Sequence, residues 1–394
     1  MSSHTVYVVE CPSYDQVAER TAQLFEMMGG VGRYAHKGET LALKPNLLAA
    51  AAPEKAITTH PSLVAAVGRL VQNRGATALL VESPGSGYAY TEGALRRTYE
   101  ACGMVEAAAQ VGMRLNYDTS YRAVFFPEGK LIKHFDIITP LLEADGIVNL
   151  CKLKTHAYMG MTGAVKNSFG AIPGLSKPGY HAKLDDKEHF ADMLLDLSAC
   201  VAPRLSIMDA VVGMEGDGPS AGDPRHIGLL LAAENPLALD VVASAIVGLP
   251  RESNPVLLHA TERGLSPTRL QDVELIGIDL ERLPIPGYRL PATFSSGRGL
   301  TSANWWQRLL LPLYRDALTV QPRIVEKRCV ACGVCVRACP AHAITISTNR
   351  HGRRAAHIDD SECIRCYCCH EMCPQEAVGL HKSALYRLLG NWAS

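Results

Sequence analysis

Residues 329–340 read CVACGVCVRACP, and residues 363–374 read CIRCYCCHEMCP. Both carry the spacing C-x2-C-x2-C-x3-C followed by proline. The first run supplies Cys329, Cys332, Cys335 and Cys339 before Pro340; the second supplies Cys363, Cys366, Cys369 and Cys373 before Pro374. Three closely spaced thiolates can wrap three irons of a cube only where the backbone turns tightly, which small Ala331 and Gly333 permit. The proline then ends the wrap. In paired runs of this kind the fourth cysteine ligates the other cluster. One [4Fe-4S] cluster is therefore expected on Cys329, Cys332, Cys335 and Cys373, and a second on Cys363, Cys366, Cys369 and Cys339. Structural zinc favours two separated cysteine pairs, not three cysteines in a row plus a Cys-Pro. Cys368 falls out of register and reads as a buried thiol.

The segments AITIS (343–347) and AAHID (355–359) suit a short hairpin between the runs, so the unit is expected to be a small bacterial-ferredoxin-like α+β domain. Nine of the thirteen cysteines lie in 329–373. A secreted disulfide scaffold would spread them through a small domain, so this clustering favours a metal cargo in a reducing, cytoplasmic compartment. Segment 323–394 holds ten Lys/Arg against six Asp/Glu, a surplus that offsets the negative charge of thiolate-bound clusters.

The whole chain of 394 residues balances 39 Lys+Arg against 39 Asp+Glu, so no global field points to nucleic acid. The N-terminus lacks the basic and apolar regions of a signal peptide. The apolar stretch 227–250 is interrupted by Glu234, Asn235, Pro236 and Asp240, which argues against a transmembrane segment.

Upstream of the cysteines, strand-like and helix-like patterns alternate. Strands are expected at 5–11, 39–47, 77–84, 113–118, 146–154, 204–212, 227–234 and 273–279. Helices are expected at 14–28, 61–75, 92–103, 187–201 and 236–249, with Thr59 capping the second. Such alternation predicts an α/β domain: a mainly parallel sheet with helices on both faces. AVFFPEGKLIKHF (123–135) reads as an inserted hairpin. The expected organisation is an α/β substrate-binding body (1–290), a linker and aromatic strut (291–322, with NWWQRLLLPLYRDAL at 304–318), a two-cluster domain (323–381) and a tail (382–394).

In open α/β sheets ligands bind outside the carboxyl ends of the strands. Polar residues gather there: Lys44 and Asn46, His60, Glu82, then Lys154, His156, Lys166 and Asn167, then His181, and finally Asp209, Glu215 and Gly218. The glycines of MEGDGPSAGDP match neither the dinucleotide nor the Walker A pattern, and no flavin motif is visible.

The phrases ALKPNLL, TTHPSLV, VESPG, KLKTHAYMGMTGAVKNSFG and MEGDGPSAGDP resemble the family catalogued as domain of unknown function 362, over roughly 35–290. Members often carry a two-cluster ferredoxin module behind the main domain, and the resemblance implies an iron–sulfur protein with a redox role. It carries the polar positions above over as a site, without an agreed reaction.

Together these features suggest a reductase. An electron-donor protein of ferredoxin or flavodoxin type would feed two [4Fe-4S] clusters, and a small anionic substrate would sit at the sheet edge. Lys44, Lys154 and Lys166 would hold the anion, with Asn46, His60, Glu82, Asn167 and Gly218 lining the site. His156 or His181 would donate a proton, oriented by Asp209 or Glu215. The alternative is a relay or maturation protein that docks on a partner enzyme. Metal chemistry at His60, Glu82, His156 and Asp209 is a third reading.

Overall fold

The computed structural model describes residues 4–85, 89–184, 186–294, 319–348 and 352–383. The strut expected at 304–318 and the tail from 384 onward lie outside the described residues. Nine strands build the main sheet. They are β1 (Thr5–Glu10), β2 (Thr40–Pro45), β3 (Thr77–Leu80), β4 (Arg114–Leu115), β7 (Gly146–His156), β8 (Gly160–Thr162), β9 (Leu205–Glu215), β10 (Asp223–Ala233) and β11 (Glu274–Ile276). The inserted hairpin is formed by β5 (Tyr121–Phe125) and β6 (His134–Ile138), paired antiparallel.

The sheet order is β11-β1-β10-β9-β7-β2-β3-β4, with β8 folded back on β7. The run β9-β7-β2-β3-β4 is parallel. β10 is antiparallel to both neighbours, because only a short loop separates it from β9 and a crossover needs a dozen residues or more. The sheet is thus mainly parallel but mixed.

Alternation along the strands sends successive side chains to opposite faces. Leu41, Leu43, Val148, Leu150, Leu205 and Ile207 bury against one set of helices, which includes Val17–Met27 and Pro61–Asn73. Cys151, Leu153, Met208 and Ala210 bury on the opposite face, under Pro236–Ile246. The same alternation separates Lys44 from Lys152, which leave adjacent parallel strands toward different faces.

The expected cap is displaced by one residue. His60, not Thr59, caps Pro61–Asn73, its side chain accepting from Ser62 N–H. Thr59 Oγ1 instead accepts from Asn46 N–H and donates to the Leu150 carbonyl, tying the end of β2 to the middle of β7.

The cysteine-rich part carries two small antiparallel pairs. β12 (Gln321–Ile324) pairs with β15 (Val378–His381), and β13 (Ile344–Thr348) pairs with β14 (Arg354–Ile358). Two short helices, Val334–Ala338 and Cys368–Glu371, lie between them in sequence. No helix among the described residues is long and apolar enough to cross a membrane.

Candidate functional site

Two sets of four thiols come together. The Cys335 thiol feels the charges of Cys329, Cys332 and Cys373. Cys363 and Cys369 each feel Cys339 and Cys366. These interactions group Cys373 with the first three cysteines of the first run and Cys339 with those of the second, and Cys369 also feels Cys335 across the two groups. Backbone N–H groups donate to thiol sulfurs: Ala356 to Cys329 at 3.4 Å, Ala377 to Cys373 at 3.2 Å and Ala343 to Cys339 at 3.3 Å. Four thiols facing a common space, with N–H donors aimed at the sulfurs, fit a thiolate-bound iron–sulfur cube, whose potential such hydrogen bonds tune. Cys368 is fully buried and stands outside both sets, against Cys366.

At the carboxyl ends of the parallel strands lie five lysines, four of them buried. Lys44 Nζ pairs with Glu82 Oε2 at 2.7 Å and donates to the Asn167 carbonyl at 2.6 Å. Lys152 stands opposite Asp209 in the β7–β9 register, and the two pair at 2.7 Å. Tyr14 Oη donates to Asp209 at 3.0 Å and accepts from Lys152, while its ring stacks on His60 at 3.5 Å between centroids. Burial lowers the His60 pKa to about 4.

The register shifts between Lys152 and Lys154, and Lys154 Nζ turns to the carbonyls of Ile57 (2.6 Å) and Pro219 (3.2 Å). Lys177 Nζ donates to Ser83 O at 2.6 Å, to Ser83 Oγ and to Pro84 O, which uses all three of its N–H donors. Lys166 is different: it has no hydrogen-bond partner among the described residues. It projects from the turn Ala164–Asn167, whose first two N–H groups donate to Asp240. Gly163 leaves room for that carboxylate, since a Cβ would fall on it.

His156 ends β7 in the hairpin to β8. Its Nδ1 accepts from the N–H groups of Tyr158 (3.0 Å) and Met159 (3.3 Å). Two backbone donors on Nδ1 place the ring proton on Nε2. That atom is buried without a hydrogen-bond partner. Burial first, then the charges of Lys166 and Lys154, hold the imidazole pKa well below 6.5. His181 is packed between Tyr158, Phe169 and Phe190, and burial takes its pKa to about 3. Both histidines are neutral.

The carboxylate that faces this group comes from the cysteine-rich part. Glu371 Oε2 lies 3.7 Å from His156 Nε2, and its charge acts on Lys154, Lys166 and Lys177. Ser220 Oγ donates to the Glu371 carbonyl at 2.6 Å, and His370 Nε2 meets the Asp217 carbonyl at 2.8 Å. The glycine-rich loop after β9 is therefore a docking surface for the cysteine-rich part. Gly218 is required there because a Cβ would meet the Thr155 backbone.

Several expected roles change. Neither Asp209 nor Glu215 reaches His156 or His181: Asp209 is taken by Lys152, Tyr14 and the His60 backbone N–H, and Glu215 pairs with Arg289 at 2.9 Å. Lys44 is neutralised by Glu82 and does not face an open space. Asn46 donates to Asn167 at 2.9 Å beside that pair, and Asn167 donates to Asn149. The four residues of the metal reading fall into three groups: Glu82 with Lys44, His156 on its own turn, and Asp209 with Lys152, Tyr14 and His60, whose backbone N–H donates to Asp209 at 2.9 Å while its ring stacks on Tyr14. Glu371 was missed; its signal lay only in its place inside HEMCP, between two cysteines.

The body and the thiol sets define an iron–sulfur protein with the capacity for electron transfer. The chain belongs to the family described as Domain of unknown function (DUF362), matched over residues 41–245, and residues 328–377 match a 4Fe-4S dicluster domain. The thylakoid-associated protein sll1697 of Synechocystis sp. (strain ATCC 27184 / PCC 6803 / Kazusa) is 35% identical over 246 residues, which are 62% of this chain and 74% of the relative. Among solved structures, the lactate racemase apoprotein of Thermoanaerobacterium thermosaccharolyticum aligns with a TM-score of 0.39 at 10% identity. That alignment covers 62% of this chain and 57% of the racemase chain, so this chain spans little more than half of it.

Proposed function

We propose that the protein is an iron–sulfur oxidoreductase that reduces a small anionic substrate held between the body (1–290) and the two-cluster module (323–381). Cys329, Cys332, Cys335 and Cys373 hold one [4Fe-4S] cluster, and Cys339, Cys363, Cys366 and Cys369 hold the other. When bound, the clusters supply electrons one at a time. Lys166, with three unused N–H donors, and Lys154, with one, hold the substrate's oxyanion. His156 Nε2–H, neutral and locked in one tautomer, donates to an oxygen on which charge develops. Reducing one C=C or C=O bond takes two electrons and two protons. The lysine ammoniums, eased toward neutral pH by burial, are the proton sources nearest His156.

The observation that carries this reading is the 3.7 Å approach of module Glu371 to body His156: the helix bearing Cys369 closes the lysine site. The test is to reduce the reconstituted protein anaerobically with a soluble one-electron carrier and add carboxylated or phosphorylated unsaturated compounds one by one. Reoxidation of the clusters by one such compound, abolished by Lys166→Ala, is expected. Reoxidation only by a partner protein would establish the relay instead.

A further inference from the structure

The cysteine-rich module presents two edges of opposite charge. At the first, a cavity is walled by Cys329, Cys332, Cys335 and Cys373 together with Val330 and Gly333. Cys332 is exposed and Val330 is 59% exposed, so at these two residues the wall of the cavity is itself the molecular surface. Exposed Lys327, Arg328, Arg337 and Arg353 surround it. The Arg337 guanidinium folds back over Gly333, where an added Cβ would meet Nη1 at 3.3 Å. Arg353 donates to the Lys327 and Cys329 carbonyls at 3.0 and 3.4 Å, and Arg328 donates to the Glu376 carbonyl at 3.4 Å. Nearby acids do not cancel this charge. Glu376 answers Lys55 at 3.7 Å and Asp360 answers Arg323 at 2.8 Å, which leaves Glu326 against four cations.

The second edge has the other sign. Exposed Asp359 and Glu362 precede half-buried Cys363, and Arg365 just beyond it is withdrawn from solvent. A third side, the helix Cys368–Glu371, is already seated on the body through Ser220 and Asp217. An apolar centre with a charged rim is the anatomy of an interface, and charge complementarity acts chiefly on the rate of encounter and the choice of partner. Of the two open edges, only the one at Val330 and Cys332 combines that anatomy with a thiol cavity directly behind it.

Resting on the reading that these cysteines hold clusters, we propose that the Val330–Cys332 edge is the docking surface for a separate, acidic one-electron carrier protein. The carrier lays an apolar spot on Val330 and sets its carboxylates against Lys327, Arg328, Arg337 and Arg353. It then gives up one electron across the Cys332 wall. The carrier leaves oxidised by one electron, the site behind Cys332 is reduced by one, and no bond forms or breaks. Asp359 and Glu362 repel the same carrier, so electron entry is confined to one edge of the module.

The experiment uses the full chain, reconstituted anaerobically, with a small, strongly acidic [2Fe-2S] ferredoxin as the probe. Two quantities are read: the affinity of the oxidised ferredoxin by calorimetry, and the stopped-flow rate of electron transfer from the reduced ferredoxin. Both are expected to fall about tenfold or more between roughly 0.02 and 0.5 M salt. The double variant Lys327→Glu/Arg337→Glu lowers both by a similar factor at low salt, Val330→Asp lowers both, and Glu362→Lys lowers neither. Reduction by photoreduced deazaflavin, a small neutral carrier, keeps its unmutated rate in every variant, which separates lost docking from a damaged module. Indifference of affinity and rate to salt and to the double variant overturns the surface. So does faster exchange with the basic carrier cytochrome c that Glu362→Lys abolishes. Failure of deazaflavin to reduce the unmutated protein would instead overturn the cluster reading beneath the proposal. No substrate is present, so the outcome is independent of the reductase reading.

Discussion

His156 Nε2 and Glu371 Oε2 face each other at 3.7 Å across the boundary between the α/β body and the cysteine-rich module. The gap exceeds hydrogen-bonding distance, and the histidine N–H is left without a partner. His156→Phe removes the donor and is expected to lower kcat by about 10²–10³ with little change in KM; His156→Gln, which retains an N–H, recovers part of it. Burial holds the imidazole well below its ordinary pKa, so steady-state rates between pH 5 and 8 carry no limb from this residue. A limb near 6.5 that vanished in His156→Gln would contradict the neutral-donor role.

Burial also pushes the ammonium groups of Lys154 and Lys177 down to about 7. Below that pH both are charged; as pH rises through 7 they lose protons and the pocket loses positive field. Affinity of the oxidised protein for an unsaturated dicarboxylate, measured calorimetrically, is expected to fall at least about tenfold between pH 6 and 8.5. Stability moves the other way: between pH 7 and the ordinary lysine range the unfolded chain holds more protons, so these two groups make unfolding harder as pH rises. A pH-independent affinity would remove the lysines from the binding site.

The Lys44–Glu82 pair is buried on both sides and serves the fold. Glu82→Gln or Lys44→Met is expected to cost about 3–5 kcal/mol in chemical denaturation, because each leaves an uncompensated buried charge. Replacing both by apolar residues together should cost much less. Gly170→Ala should resemble the single variants, since its Cβ would fall on Glu82 Oε1 and Lys44 Nζ.

Crossed ligation makes a prediction from sequence position alone. Cys373→Ala, in the second run, should leave the same surviving cluster spectrum as Cys332→Ala, in the first. Cys339→Ala should match Cys363→Ala. If Cys373→Ala matched Cys363→Ala, each run would hold its own cluster.

Much of this arrangement was legible in the residues. Lys187–Val201 and Pro236–Ile246 carry apolar positions at helical spacing, and both form helices there. The hairpin around Pro127-Glu128-Gly129 forms as its turn residues require. Parallel β2 and β7 place Lys44 level with Asn149, and Asn46 and Asn167 bond beside the Lys44–Glu82 pair, while Asp209 and Glu215 are drawn into pairs with Lys152 and Arg289. What the sequence did not disclose was pairing. Lys44 and Lys154 read alike as cations at strand ends, yet Glu82 neutralises one and backbone carbonyls anchor the other. Nor does any spacing link Glu371 to His156, 215 positions apart; that contact exists only because Ser220 and Asp217 seat the module on the loop after β9.

The seating of Glu371 also restricts exchange of parts. A foreign dicluster ferredoxin spliced onto this body would deliver its iron, but it would leave three crowded ammonium groups without their carboxylate unless it happened to carry an acid at the matching place. The carboxylate and the ammonium groups it answers thus come as a matched set, carried on stretches of chain more than a hundred residues apart.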